Sequence, residues 1–226
     1  MYEFRAATLQ DAVRLAVRSP APETKRLAKR SAAFDFASRM RGGPVLFVGE
    51  GNFSFALAMA RLPGTDTRAL VATAYEPDRD WTDAARGNAR RLADLGVAVR
   101  ADVDATRLTD TFGARRFDTI IFQIPNVASR APLHGQNPNH ILVTRFLKSC
   151  RPHLRERGMA IVSTVDNPFY EGAFKMNEAA RKAGFDAPDI HDFDPSAIRG
   201  YVHQNTADAQ FALSEHDAFA TFVFHA

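Results

Sequence analysis

Short apolar runs alternate with stretches of helical spacing along most of this chain. Val45-Leu46-Phe47-Val48 is apolar throughout, and the run from Phe117 to Ile124 nearly so. Runs of this kind mark strands covered on both faces of a parallel sheet. Further strands are predicted at 69–75, 97–101, 159–165, 189–193 and 218–224. Between them, helical spacing predicts helices at 53–62, 80–95, 139–157 and 172–183. The helix over 139–157 carries its apolar stripe at Ile141, Leu142, Phe146, Leu147 and Leu154. Ahead of the first strand, residues 6–40 predict two helices joined at Ser19-Pro20-Ala21-Pro22 and ended by Gly42-Gly43-Pro44. Alternating strands and helices predict an α/β, Rossmann-like fold: a mostly parallel seven-stranded sheet with helices on both faces. The expected division is an N-terminal helical cap or lid over 1–43 and a ligand-binding sheet domain over 44–226.

Composition narrows this picture without redirecting it. A chain of 226 residues suits one large α/β domain. Hydrophobic residues at 46% supply a core, and charged residues at 24% suit a soluble protein. No run approaches the roughly 18 apolar residues of a membrane span, and MYEFRAATLQ lacks the apolar centre of a secretion signal. The single cysteine, Cys150, excludes an intrachain disulfide and points to a reducing cytoplasm. The seven histidines stand apart from cysteines and carboxylates at metal-ligand spacing, so no metal is expected. The net charge of +3 and the pI of about 9.2 permit RNA binding without requiring it. The basic residues Lys25, Arg26, Lys29, Arg30, Arg39 and Arg41 read as a solvated helix face, and Arg151, Arg155 and Arg157 as cations at a helix C-terminus.

Ligands of such sheets bind beyond the carboxyl ends of the strands. After the first strand comes Gly49-Glu50-Gly51-Asn52-Phe53-Ser54-Phe55. Its glycines permit a tight turn and close approach to a ligand, and the following helix points free N–H groups at the same place. A dinucleotide site usually has a third glycine where Ser54 stands; a larger residue there suits a nucleoside without a pyrophosphate. Gly49, Glu50, Gly51, Asn52, Phe53 and Ser54 are therefore expected at the ligand. Glu76, after the second strand, is placed to accept from both ribose hydroxyls. Asp104, with Ala105 beside it, follows the third strand and is placed to accept from an adenine amino group; Asp102 reads as solvent-facing. Gln123 and Asn126 form a stiff polar edge around Pro125 after the fourth strand, with Gln123 on the cofactor side and Asn126 on the substrate side. Asp166 to Tyr170 and the segment from Asp194 to Gln204 complete the rim.

The run Val48-Gly49-Glu50-Gly51-Asn52-Phe53-Ser54-Phe55 resembles the Rossmann-like domain of the eukaryotic large-subunit rRNA uridine-N3 methyltransferases. The likeness continues through Val103-Asp104-Ala105-Thr106, Phe117 to Phe122, and Gly200-Tyr201 with His203. It implies the class I methyltransferase fold and S-adenosylmethionine as cofactor, with Gly49, Gly51 and Asn52 at the methionine part and Asp104 at the base. The chain departs from that family where a Phe-Pro-His loop gives way to Ile124-Pro125-Asn126, without the histidine. A looser likeness, in overall build, is to small bacterial azetidine-2-carboxylate synthases. Their reaction is a displacement in which the cofactor's own amine closes a ring and methylthioadenosine leaves. The missing loop histidine and the helical N-terminal block favour this small-molecule cyclisation, with Asn126, Tyr170 and Ser196 handling the amine. The alternative is methylation of ribosomal RNA at a uridine N3, with RNA as partner. A membrane partner is not expected.

Overall fold

In the computed structural model, which describes residues 31–127, 131–166, 173–203 and 218–226, the predicted alternation becomes one sheet. Its strands are β1 (Val45–Val48), β2 (Leu70–Thr73), β3 (Ala98–Arg100), β4 (Phe117–Gln123), β5 (Leu154–Val165), β6 (Asp189–Phe193) and β7 (Phe219–His225). The order across the sheet is β3-β2-β1-β4-β5-β7-β6. Pairing is parallel from β3 through β5, and β7 runs antiparallel to both of its neighbours. The described helices are α1 (Phe36–Met40), α2 (Ser54–Ala60), α3 (Asp83–Asp94), α4 (Leu108–Phe112), α5 (Pro138–Cys150) and α6 (Met176–Ala183).

Strand alternation divides the core into two layers. Val45 and Phe47 face a layer with α1, α2 and α3, whereas Leu46 and Val48 face one with α4, α5 and α6. All four β1 side chains are fully buried, which is why this strand reads as an unbroken apolar run. Local chemistry sets the helix ends. The Thr82 side chain accepts the Ala85 N–H at the start of α3, and Asn137 caps α5 ahead of Pro138. Gly184 ends α6 in the left-handed region at φ 82°.

Several elements differ from the sequence expectation. The helix expected over 139–157 stops at Cys150, and Arg151–His153 is a 3-10 turn. Pro152 has no N–H to continue the helical ladder, and Leu154 already pairs with Phe117 in the sheet. Arg155 and Arg157 therefore lie in β5, not at a helix terminus, and Arg155 approaches Asp118 at 3.4 Å. The helix α4 was not anticipated. Of the two helices expected over 6–40, residues up to 30 lie outside the described residues, and α1 is what the described part contains. That part packs onto the sheet: Ser31 N–H donates to Ile190 O at 3.0 Å, and Phe36 stands edge-on to Phe55 and Phe193.

The strand order reverses direction at β1, which pairs with β2 on one side and β4 on the other. The crevice at that reversal opens at the carboxyl ends of the strands. Behind it, Phe146 of α5 packs edge-on to Phe122 of β4 at 5.1 Å and is itself fully buried. Phe146→Ala is expected to lower unfolding free energy by about 3–5 kcal/mol in urea titrations; a loss below about 1 kcal/mol would mean that this layer repacks around the gap.

Candidate functional site

The turn after β1 is shaped by steric contact. Gly49 sits at φ 64°, and a Cβ there would lie 2.4 Å from Cε2 of Phe122. Glycine is thus required twice, by the dihedral and by the ring. Glu50 N–H donates to Thr73 O at 2.9 Å, tying the turn to β2. Its side chain is 6% exposed, and Oε2 accepts the Ala56 N–H at 3.2 Å. Burial pushes the Glu50 carboxyl up to about 7, opposed in part by that hydrogen bond. Asn52 Oδ1 accepts the Ser54 N–H at 3.0 Å, and Asn88 Nδ2 donates to Asn52 O at 2.8 Å. Phe53 is left-handed at φ 61°, with its ring edge-on to Trp81 at 4.9 Å. Trp81 Nε1–H in turn donates to Glu76 O at 3.0 Å, so the ends of β1 and β2 are braced together.

Beyond this turn lies a cavity of about 660 Å³. Of the residues expected at the cofactor, Gly49, Glu50, Gly51, Asn52, Glu76, Asp104, Ala105 and Gln123 line it, as does Asn126 from the expected catalytic set. Phe53 and Ser54 do not; both are buried behind the wall. Ser196 also stands away from the lining: it is exposed and its hydroxyl donates to Asp194 Oδ1 at 2.6 Å. Tyr170 lies outside the described residues. Asp104 Oδ1 accepts both the N–H and the hydroxyl of Thr106 at 2.8 Å, which fixes the carboxylate at the wall. Gln123 is 8% exposed, and among the described residues neither of its amide atoms has a hydrogen-bond partner. A buried orphan amide of this kind is costly unless a ligand satisfies it. Ile124, next in the chain, has φ 46°, a strained conformation for a β-branched residue, and its N–H donates to Ser163 O at 2.9 Å. The strain turns Pro125 and Asn126 over the end of β4.

A strap from far along the chain closes one side. Asn52 Nδ2 donates to Val202 O at 2.9 Å. Ser54 Oγ donates to the same oxygen at 2.9 Å and accepts the Val202 N–H at 3.0 Å. These bonds hold Tyr201 and His203, on either side, at the cavity wall. Tyr201 packs edge-on to Phe55 at 5.3 Å, and its oxygen lies 3.3 Å from His203 Nδ1. Burial, and secondarily the Glu50 charge, raises the Tyr201 phenol, so it stays protonated. Burial lowers the His203 pKa, so the imidazole is neutral near pH 7. The sequence placed the segment from Asp194 to Gln204 on the rim and used Gly200-Tyr201 with His203 as support for the resemblance, but gave neither Tyr201 nor His203 a role. Tyr75, 64% exposed at the rim, and Leu142 were not anticipated there. Among the described residues there is no group of three or more His, Cys, Asp or Glu able to hold a metal ion, and no helix long and apolar enough to cross a membrane.

Comparison with known proteins adds the family. Residues 46–205 match the family model described as BMT5-like, rRNA (uridine-N3-)-methyltransferase BTM5-like. The chain is 31% identical over 170 residues to the human Ferredoxin-fold anticodon-binding domain-containing protein 1, covering 70% of this chain and 27% of that protein. It thus spans about a quarter of the length of that relative. Among solved structures, TrmN from Thermus thermophilus aligns with a TM-score of 0.52 at 19% identity, over 84% of this chain and 45% of that one. The 16S rRNA (adenine(1408)-N(1))-methyltransferase from Catenulisporales acidiphilia, solved with its cosubstrate SAM, aligns with a TM-score of 0.52 at 11% identity, over 84% of this chain and 88% of that one. These likenesses establish the class I methyltransferase fold.

The buried Glu50 makes stability depend on pH in a definite direction. Its folded pKa of about 7 exceeds the ordinary 4.5. The folded state therefore holds the proton more tightly, and stability falls as pH rises from the lower value through the higher. Without ligand, Glu50→Gln is expected to gain on wild type between pH 5 and pH 8, by up to about 3 kcal/mol. Chemical denaturation at the two pH values reads this directly. A pH-independent difference would mean that the carboxyl is solvated.

Proposed function

The chain belongs to the BMT5-like rRNA (uridine-N3-)-methyltransferase family, and on that premise we propose that it methylates N3 of a uridine in ribosomal RNA. S-adenosylmethionine is the cofactor; when bound, it supplies a methyl group made electrophilic by the sulfonium. The cavity suits it: a glycine turn, two carboxylates at consecutive strand ends, and the buried unpartnered amide of Gln123. Glu76 would accept from the ribose hydroxyls and Asp104 from the adenine amino group. Gly49, Gly51 and Asn52 would hold the methionine part, and Gln123 would bond the bound nucleoside.

The observation that carries the uridine reading is His203, neutral and half-buried at the same cavity. The N3 position of uracil is a weakly acidic imide N–H, so attack from N3 needs a base. In the tautomer whose Nδ1–H donates to the Tyr201 oxygen, His203 Nε2 presents a lone pair. As the N3–carbon bond forms and the methyl–sulfur bond breaks, the N3 proton passes to Nε2 and then to water. The products are 3-methyluridine and S-adenosylhomocysteine. Glu50, Phe55 and Tyr201 keep this wall dry and pre-arranged, so that much of the rate comes from positioning.

This reading replaces the small-molecule cyclisation favoured by the sequence. That preference rested in part on the absent histidine of the β4 loop, and the strap brings a histidine to the cavity from another segment. Of the three groups expected to handle the cofactor's amine, Asn126 lines the cavity, Ser196 does not, and Tyr170 lies outside the described residues. Asn126 is better assigned to the uracil edge, where its amide can donate to a ring carbonyl.

His203→Asn is expected to lower the single-turnover rate of 3-methyluridine formation in ribosomal RNA by about 10²–10⁴-fold. Cofactor affinity, measured by calorimetry, should stay within about threefold of wild type. The wild-type rate should fall as His203 becomes protonated below its lowered pKa, and the variant should lose that limb. An unchanged rate in the variant removes His203 from the chemistry.

A further inference from the structure

A second hollow, of about 480 Å³, is lined by Thr106, Arg107, Arg145, Lys148 and Ser149. The three cations come from two elements: Arg107 from the loop after β3, Arg145 and Lys148 from the solvent side of α5. Arg107 is half neutralised, since it pairs with Asp110 at 2.7 Å. Arg145 and Lys148 have no acidic partner among the described residues. One lysine in the last turn of a helix serves the helix dipole and needs no ligand. Convergence of a third cation from a different element onto the same hollow is not explained that way. Ser149 adds a hydroxyl: its Oγ accepts the Leu108 N–H at 2.8 Å and so keeps its own O–H as a donor, whereas the Thr106 hydroxyl is spent on Asp104.

The hollow lies close to the cavity along the chain in two places. Asp104 and Ala105 line the cavity, and Thr106, bonded to Asp104, lines the hollow with Arg107. On α5, Leu142 lines the cavity and Arg145, about one turn further on, lines the hollow. A cationic hollow close to the cavity matches a polyanion that must reach the cavity. We propose that Arg107, Arg145 and Lys148 grip the phosphodiester backbone of the RNA beside the uridine being modified. This rests on the RNA reading above and assigns it a face. Phosphate contacts of this kind supply affinity and register, whereas the cavity selects the base.

The test is binding of a labelled single-stranded ribosomal RNA fragment to the full chain, followed by fluorescence anisotropy across a salt series. Arg145→Ala with Lys148→Ala should weaken binding at low salt by about tenfold or more. It should also flatten the slope of log affinity against log salt by about 1.4–1.8, the release expected for two phosphate contacts. Cofactor affinity should be unchanged. Arg61→Ala with Arg90→Ala removes the same charge from the C-terminal end of α2 and from α3, exposed positions in the layer on the opposite face of the sheet from α4 and α5, and should stay within about twofold of wild type. If the double variant at the hollow binds as wild type does, or the control loses as much, the assignment of the hollow is overturned while the RNA reading stands. If the wild-type chain itself binds no RNA, both fall.

Discussion

At Gly49 the backbone turns left-handed, with the Phe122 ring where any other residue would carry its Cβ. The rest of the carboxyl edge depends on that contact. It lets β1 lie against β4 and still release the chain across the strand ends within a few residues. The turn finishes at Phe53, a second left-handed residue without glycine's freedom. Such a conformation costs about 1–3 kcal/mol. Full burial of the Phe53 ring against Trp81 offsets it. Between these two points the turn sends Glu50 inward and offers Asn52 to the strap at Val202, and Ser54, just past Phe53, bonds the same residue. One local geometry thus forms the floor of the cavity and the anchor of its wall.

The cavity wall is a place where burial suppresses charge. Glu50 is raised to about 7, Tyr201 is held as the phenol, and His203 is held as neutral imidazole. A neutral imidazole is the form that accepts a proton, and a desolvated wall strengthens whatever polar contacts a ligand makes there. A cationic cofactor near Glu50 would favour the ionised carboxylate, so ligand binding and Glu50 ionisation are coupled in the same direction. On the outer side, the cations of Arg107, Arg145 and Lys148 remain in solvent. The protein thereby separates a dry centre for chemistry from a wet basic surface.

The sequence was most informative where local chemistry decides structure. The apolar run of β1, the glycine turn and the acids at Glu76 and Asp104 are local patterns, and all of these side chains stand at or under the cavity. All seven strands were anticipated, although β5 begins at Leu154 rather than at 159 and β6, Asp189–Phe193, carries only two apolar residues. Ends set by competition were harder. The stripe at Leu154 continued the helical pattern of α5, yet Leu154 is claimed by β5 because Pro152 interrupts the helix first. Five-residue α4 is too short to show a period. Ser54 was read as a ligand contact because it occupies a glycine position, but its hydroxyl serves Val202, 148 residues away. No local pattern encodes such a contact, and His203 reaches the site only through it.

The central claim is that the methyl group, not the cofactor's own amine, is the reacting partner, and that RNA receives it. Incubating the purified chain with S-adenosylmethionine, with and without ribosomal RNA, and identifying every product by mass spectrometry tests this most directly. The account requires S-adenosylhomocysteine and 3-methyluridine to appear together, and only when RNA is present. Methylthioadenosine and a four-membered-ring amino acid formed without RNA would contradict it.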